Sequence, residues 1–373
     1  MTPRPVWLAQ QERGSLWLMR TIAVIALKVG RPAGRLLLYP ICTYFILFSS
    51  RARRASRDYL RRVLGGEDAS EALRASPTGG APASGRPFVG EDAPEALRAS
   101  PTGGTPASGR PFVGEDAPEA LRASPTGGTP DSGRPFVGRV PSWRDVFRHY
   151  HCFAATILDR VFLLSGRLQH FDYQIEGLDM LLATIADGRG CLLLGAHFGS
   201  FEVLRVLGQA DAPVRVRVLM HEENAAKINS VLGALNPAAK RDVITLGRPQ
   251  TMLAVRDALA SGEIVGLLAD RVVAGDRLVA CDFLGASAPF PEGPFVLAAV
   301  LRVPVILFSA ACRGNGRYHI RLTSFASASA GTRDETALAA QCRHYAQWLE
   351  ANCRADPYNW FNFYDFWASS PCT

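Results

Sequence analysis

Residues 191–202 have the sequence CLLLGAHFGSFE, and this stretch decides the fold. The apolar run from Cys191 to Leu194 predicts a short buried strand, and Ser200, which opens SFEVLRVLG, predicts a helix start. A strand that leads at once into a helix is the unit from which α/β sheets are built. His197 then lies at the corner between strand and helix, and Glu202 lies in the first helical turn.

The spacing of His197 and Glu202 suits such a corner. On one continuous helix, five residues turn the side chain by about 140°, so the two groups would face apart. Across a corner, the Glu202 carboxylate can hold one imidazole nitrogen while the other faces the carboxyl end of the strand, where open α/β sheets bind ligands. This is the arrangement of a general base with its orienting group. The alternative is a buried structural histidine and an acid that suits a helix N-terminus.

The chain after this corner continues to alternate between strands and helices. The segments VRVRVLM, DVITLG, EIVGLLADR, VPVILFSA and RYHIRLTSF predict strands. Helical patterns such as ENAAKINSVLGAL and PQTMLAVRDALASG lie between them. We therefore predict an α/β fold in which helices cover a sheet.

Composition narrows the function classes. The 373 residues are 48% hydrophobic and 20% charged, as in globular proteins, and basic residues exceed acidic ones by seven. This surplus favours phosphate-bearing partners, either nucleic acid or an anionic membrane face. The eight cysteines show no CxxC spacing, which predicts buried thiols in a reducing compartment and no zinc site. His149 and His151 are two residues apart and would face different sides of a helix, so we predict no metal site there.

Residues 1–65 form the first of three predicted regions, a hydrophobic and basic segment. Two apolar stretches are each too short for a simple membrane span. The cluster RARRASRDYLRR follows, from Arg51 to Arg62. Apolar helices beside arginines favour association with the cytoplasmic face of a membrane over nucleic-acid binding. The alternative is a pair of core helices with one solvated face.

Residues 66–137 contain three nearly identical copies of a 24-residue unit, the first of which begins GEDASEALRASPTGG. Each copy has few apolar residues among its glycines and prolines, so burial does not offset the entropy of ordering. We predict a disordered insertion, and a catalytic domain at 138–373.

Two further segments carry polar residues beside apolar ones. Asp270 and Arg271 end the strand EIVGLLADR, and Glu292 and Gly293 stand where PFPEGPFVLAAVLR begins a helix. Arginine binds phosphate through a planar fork, and a helix start presents backbone N–H groups to a ligand. We therefore predict that Asp270, Arg271, Glu292 and Gly293 bind the substrate. The alternatives are a local ion pair for Arg271 and a turn carboxylate for Glu292.

Together, in this order, HxxxxE after a strand, GLLADR, FPEG and VPVI resemble the glycerolipid acyltransferase superfamily. The chain resembles most its lipid A biosynthesis branch, the lauroyl and myristoyl transferases of bacterial inner membranes. The N-terminal segment and the aromatic run YNWFNFYDFW at residues 358–367 also resemble that branch. The resemblance implies a single mixed sheet flanked by helices, and acyl transfer on the cytoplasmic face of the inner membrane. It also implies that His197 is the catalytic base and Glu202 its partner, with Arg271 and Glu292 positioning the acceptor or its phosphate.

The implied chemistry needs no metal or cofactor beyond a fatty acyl thioester, carried by acyl carrier protein or coenzyme A. His197 takes the proton of a lipid hydroxyl as that hydroxyl attacks the thioester. We expect backbone N–H groups near Gly199 and Ser200 to bind the oxyanion. We expect the Ser200 side chain to cap the helix and not to act as a nucleophile. The open alternatives are a different lipid acceptor, a membrane-bound thioesterase, and an assembly subunit with a vestigial His-Glu pair.

Overall fold

The structure is a computed structural model, and it describes residues 16–65, 140–188, 190–203, 215–220, 242–273, 275–325 and 334–367. The repeats, for which we predicted disorder, lie outside the described residues. The segment ENAAKINSVLGAL, for which we predicted a helix, also lies outside them. The N-terminal helices belong to the same compact unit as the described residues from 140 onward. The helices are α1 Leu16–Val29, α2 Arg31–Phe48, α3 Ser50–Leu64, α4 Trp143–Leu164, α5 Leu178–Ala186, α6 Thr251–Ala260, α7 Gly293–Leu301 and α8 Glu335–Ala355.

The strands form one large mixed sheet, as the α/β prediction requires, and a separate two-stranded hairpin. Their bounds are β1 Asp172–Glu176, β2 Leu192–Gly195, β3 Val216–Met220, β4 Val243–Thr245, β5 Ile264–Leu268, β6 Leu278–Phe283, β7 Ala286–Pro291, β8 Val305–Cys312 and β9 Arg317–Phe325. The sheet order is β1-β9-β8-β2-β5-β3-β4. Its pairs are parallel except β8 with β9. The hairpin of β6 and β7, which we did not predict from the sequence, is antiparallel.

Strand β2 lies inside the sheet, between β8 and β5, and all four of its residues are buried. Leu192 and Leu194 belong to the core on one face, whereas Leu193 belongs to the core on the other. A parallel strand covered on both faces has a continuous apolar sequence. This is why the run CLLLG carries no polar side chain.

The N-terminal helices are joined to the rest of the molecule by a buried ion pair. The Arg31 guanidinium at the start of α2 donates two hydrogen bonds to Asp159 of α4, each 2.8 Å long. The Tyr318 hydroxyl donates a third bond to the same carboxylate, at 2.9 Å. Asp159 is fully buried, so this bidentate geometry is needed to compensate its desolvation.

The outer face of α1 and α2 exposes several large apolar side chains. They include Val29, Leu36, Tyr44, Leu47 and Phe48, each more than half exposed. In the described part of the chain, no helix by itself has the length and apolar character of a membrane span, and the one pair that passes such a test together, α2 with α3, is bent by 97°.

Candidate active site

His197 lies just beyond the carboxyl end of β2, as the sequence predicts, and its imidazole is held by Asp270. His197 Nδ1 lies 2.8 Å from Asp270 Oδ1, and the backbone N–H of His197 donates to Oδ2 at 3.0 Å. A carboxylate only accepts hydrogen bonds, so Nδ1 carries the proton and Nε2 has the free lone pair. Within the described residues Nε2 has no hydrogen-bond partner, and a quarter of the side chain is exposed. The ring is thus arranged to accept a proton at Nε2.

Glu202 is the residue to which we assigned the orienting role from the sequence, and the structure corrects this. The Glu202 carboxylate lies 3.3 Å from the Arg160 guanidinium of α4. Glu202 is buried, so an arginine partner compensates the desolvation of its charge. The contact that we expected at one imidazole nitrogen is made by Asp270. A catalytic role for Glu202 stays a prediction.

The register of the sheet explains why Asp270 reaches His197. In the parallel pair of β2 and β5, Gly195 is opposite Leu268. His197 and Asp270 each follow two residues later, so they emerge side by side at the carboxyl edge. The sequence carries this signal as two polar residues at equal distances beyond two apolar strands, although we assigned Asp270 to substrate binding from its strand-end position.

Electrostatics keep the histidine neutral and the aspartate charged. Burial and the nearby Arg271 charge lower the pKa of His197, and together they outweigh the raising effect of Asp270. Burial alone would raise the pKa of Asp270, but His197, Arg271 and the Trp360 indole N–H lower it to about 2. At neutral pH the pair is therefore a neutral imidazole beside a carboxylate, as general-base catalysis requires.

Arg271 lies beside this pair. Its charge lowers the pKa of both His197 and Asp270. Its guanidinium lies 5.9 Å from the centre of the Tyr364 ring. The structure therefore brings His197, Asp270 and Arg271 together. Whether Arg271 binds the acceptor stays a prediction.

Glu292 and Gly293 stand at a helix start, as predicted. The Glu292 carbonyl accepts from the N–H groups of Phe295 and Val296 in the first turn of α7. Its buried carboxylate pairs with Arg277 at 3.1 Å. Within the described residues no hydrogen bond or ion pair joins Glu292 to His197.

The backbone near Gly199 differs from our expectation for an oxyanion site. The N–H of Gly199 donates to the Asn359 carbonyl at 2.8 Å, and that of Ser200 donates to the Ala310 carbonyl at 3.0 Å. Both donors are already used, so they do not bind the oxyanion as we expected. The Ser200 hydroxyl accepts from the Val203 N–H at 3.4 Å, which confirms its capping role.

The fold and this site define a class of protein, namely α/β proteins with a histidine–aspartate pair at the carboxyl edge of the sheet. The sequence model of the family described as bacterial lipid A biosynthesis acyltransferase matches residues 156–369, more than half of the chain. The protein therefore belongs to that family, and it is an enzyme that transfers acyl groups to a lipid acceptor. A search of curated proteins finds no match to the chain.

Proposed function

We propose that this protein transfers a fatty acyl group from a thioester to a hydroxyl of a membrane glycolipid such as a lipid A precursor, with His197 as the base. The observation that carries the proposal is the 2.8 Å contact of His197 Nδ1 with Asp270, which leaves Nε2 as the proton acceptor. Asp270 positions the ring, and the lowered pKa of His197 keeps it neutral at working pH.

The reaction would proceed by direct transfer. His197 Nε2 takes the proton of the acceptor hydroxyl as the oxygen attacks the thioester carbonyl. The tetrahedral intermediate expels the thiolate, which receives the proton back from Nε2. The Arg271 cation beside the base would attract a phosphate of the acceptor or the developing oxyanion. The thioester donor, carried by acyl carrier protein or coenzyme A, is the only co-substrate that this scheme uses.

Substitution of Asp270 tests the scheme. Asp270→Asn keeps the shape of the side chain but removes its charge, so it no longer favours the proton on Nδ1 or stabilises the imidazolium that forms during the reaction. We expect kcat of Asp270→Asn to fall by about 10²-fold or more, the range by which a positioned base contributes. The kcat of His197→Ala should fall at least as far. The matched control is Asp257→Asn, because that aspartate is exposed and pairs with its neighbour Arg256.

The assay uses the full-length protein in membranes with a fatty acyl thioester and a lipid A precursor, and mass spectrometry detects the acylated product. Full transfer by His197→Ala would overturn the proposal and favour a role without catalysis. Release of free fatty acid in the absence of any acceptor, with no acylated lipid, would favour a thioesterase instead.

Glu202 needs a separate test, because its carboxylate pairs with Arg160 and not with His197 Nδ1. If Glu202 is structural, Glu202→Gln lowers the free energy of unfolding and leaves the pH at which the rate falls unchanged. A shift of that pH comparable with the shift in Asp270→Asn would show that Glu202 also acts on the base.

Membrane association is the part of the proposal that concerns location. The exposed apolar face of α1 and α2 lies next to the arginine-rich helix α3, a combination suited to the anionic cytoplasmic face of the inner membrane. Two of these arginines, Arg53 and Arg57, lie over the ring of the half-exposed Trp143, at 5.7 and 4.7 Å from its centroid. Tryptophan is typical of membrane interfaces.

Vesicle sedimentation tests this location. We expect Leu47→Glu with Phe48→Glu to release the protein from vesicles that contain anionic phospholipid, because two charges then replace apolar contact with the lipid. Leu253→Glu is the control, since Leu253 is similarly exposed on α6. Equal vesicle binding by wild type, the double variant and Leu253→Glu would refute the assignment of the α1 and α2 face to the membrane.

A further inference from the structure

The segment Asn359–Phe361 near the C-terminus lies against the His197 corner and is bonded to it on both sides. The Phe361 N–H donates to the His197 carbonyl at 2.7 Å, and the Asn359 carbonyl accepts from Gly199. Trp360 forms an antiparallel bridge with Phe198 between these two bonds. The aromatic run at 358–367, which the sequence left unconnected to the base, therefore reaches the candidate active site.

Trp360 makes the contact of greatest consequence. Its side chain is 1% exposed, and its indole N–H donates to Asp270 Oδ2 at 2.9 Å. The ring and the backbone of His197 also donate to this carboxylate. The indole is therefore a donor that fixes Asp270 independently of the histidine.

We infer that Trp360 is a positioning residue that orients the Asp270 carboxylate and, through it, the imidazole of His197. The inference rests on the proposed function of His197 where kcat is measured, and it does not rest on that function where the pKa of His197 is measured. An indole N–H directed at Oδ2 disperses part of the carboxylate charge and restricts its rotation, so Oδ1 stays aligned with Nδ1.

Trp360 is itself held by a buried polar chain. The His149 Nε2–H donates to the Trp360 carbonyl at 2.8 Å, and the Ser56 hydroxyl donates to His149 Nδ1 at 2.9 Å. Burial lowers the pKa of His149 to about 4, so the ring is neutral and can donate at one nitrogen and accept at the other. Helices α3 and α4 thus fix the backbone of the residue that orients Asp270.

Charged and titratable groups from several elements surround the pair. Asp270 and Arg271 act on His197. His197 and Arg271 lower the pKa of Asp270. The Asp270 charge in turn raises the pKa of three neighbours, Tyr345, Cys353 and Tyr364. Burial raises the pKa of each of the last three, so they are uncharged at neutral pH. A change in the pKa of His197 on substitution of Trp360 therefore reports on Asp270.

The test compares Trp360→Phe with Trp367→Phe. Trp367 belongs to the same aromatic cluster, but its N–H donates to the Phe283 carbonyl at 3.3 Å. Loss of the indole donor at Trp360 concentrates charge on Asp270, so the pKa of His197 should rise. Asp270→Asn should lower it, because the attraction is gone. We expect kcat of Trp360→Phe to fall by about 10- to 100-fold, the range of a hydrogen bond to a charged group, with KM nearly unchanged, and Trp367→Phe to keep both.

The pKa of His197 is measured directly by NMR titration of protein with ¹³C-labelled histidine, with His197→Ala used to assign the signal. This measurement does not depend on activity. If the pKa rises in Trp360→Phe but His197→Ala remains active, the proposed function fails and the positioning role stands. An unchanged pKa in Trp360→Phe, with a loss of stability equal to that of Trp367→Phe, would overturn the inference.

A second variant separates the loss of the hydrogen bond from the loss of packing, because Phe leaves a cavity where Trp360 was buried. Site-specific incorporation of 3-benzothienylalanine replaces the N–H by sulfur and keeps the shape of the indole. We expect the same rise in the pKa of His197 in this folded protein. Wild-type pKa and wild-type kcat in the isostere would show that Trp360 acts through packing alone.

Discussion

Replacement of Gly199 by alanine tests how far the corner depends on its close contact with strand β8. Gly199 has φ +63°, and a Cβ built on it would lie 1.7 Å from the Ala310 carbonyl oxygen. Contacts of a real Cβ start at about 3.0 Å, so the two backbones must separate by more than 1 Å. That movement would break the bond from the Ser200 N–H to Ala310 and strain the bond from Gly199 to Asn359.

The expected cost has three parts. The left-handed backbone costs an alanine roughly 1–2 kcal/mol, two weakened hydrogen bonds cost about 1 kcal/mol each, and overpacking adds about 1–3 kcal/mol. We therefore expect Gly199→Ala to lower the free energy of unfolding by about 4 kcal/mol or more. Gly166→Ala is the control, because Gly166 has φ +71° with no atom within 4 Å of its Cβ. It should lose only the backbone part.

Urea denaturation followed by circular dichroism measures both variants, and acyl transfer is measured below the unfolding transition. A displacement of about 1 Å at the base can reduce the rate by about 10²-fold, so Gly199→Ala should lose activity even where it remains folded. If the two variants have equal stability and wild-type rates, the contact with Ala310 does not hold the corner in place.

The remaining predictions concern pH, the buried ion pair and the repeats. Because the pKa of His197 is lowered from 6.5, the midpoint of the fall in kcat/KM on the acid side should lie below pH 6.5; a midpoint at pH 7 would contradict this. The pKa of the buried His149 is lowered to about 4, so as the pH falls from 6.5 this histidine takes up a proton in the unfolded chain before it does so in the folded protein. Wild type should therefore lose up to about 3 kcal/mol of stability between pH 6.5 and 4, and His149→Gln should not show this loss. Arg31→Met leaves the buried Asp159 charge without its main partner and should cost about 3–5 kcal/mol in urea denaturation, whereas Arg35→Met, at a longer 3.5 Å contact, should cost much less. Deletion of the repeat at residues 90–113 should change the free energy of unfolding by under about 0.6 kcal/mol, since loop entropy depends weakly on length; a larger loss would show that the repeats are structured.

Local sequence pattern predicted the parts of the fold that depend on local structure. The buried strand predicted from Cys191 to Leu194 is observed one residue later, at Leu192–Gly195, and the capping Ser200 and the helix that starts at Gly293 are confirmed. The hairpin of β6 and β7 was missed, because its turn at Leu284 and Gly285 was not recognised as a break between two strands. Local pattern therefore located the His197 corner but not everything around it.

The contacts of the site depend on distant residues, and the sequence alone could not give them. Glu202 is five residues from His197, yet its partner Arg160 is 42 residues upstream. Asp270 is 73 residues from His197 and becomes its neighbour only through the strand order. Trp360 is 90 residues from Asp270. One sequence states which residue types are present, whereas strand order and register decide which of them meet.

Strand spacing also explains why an aspartate at 270 suits the corner. Neighbouring strands lie about 4.8 Å apart, so two residues at the same level beyond β2 and β5 are within reach of a short side chain. Asp270 accepts both the backbone N–H and the ring N–H of His197, and a longer side chain would lose more rotamer entropy for the same two bonds. Glu202 starts instead from a helical turn after the corner, and its longer side chain reaches Arg160 on α4. The carboxylate fixed by the sheet therefore orients the His197 imidazole, and the Glu202 carboxylate, which is nearer to His197 in sequence, ties the corner to the neighbouring helix.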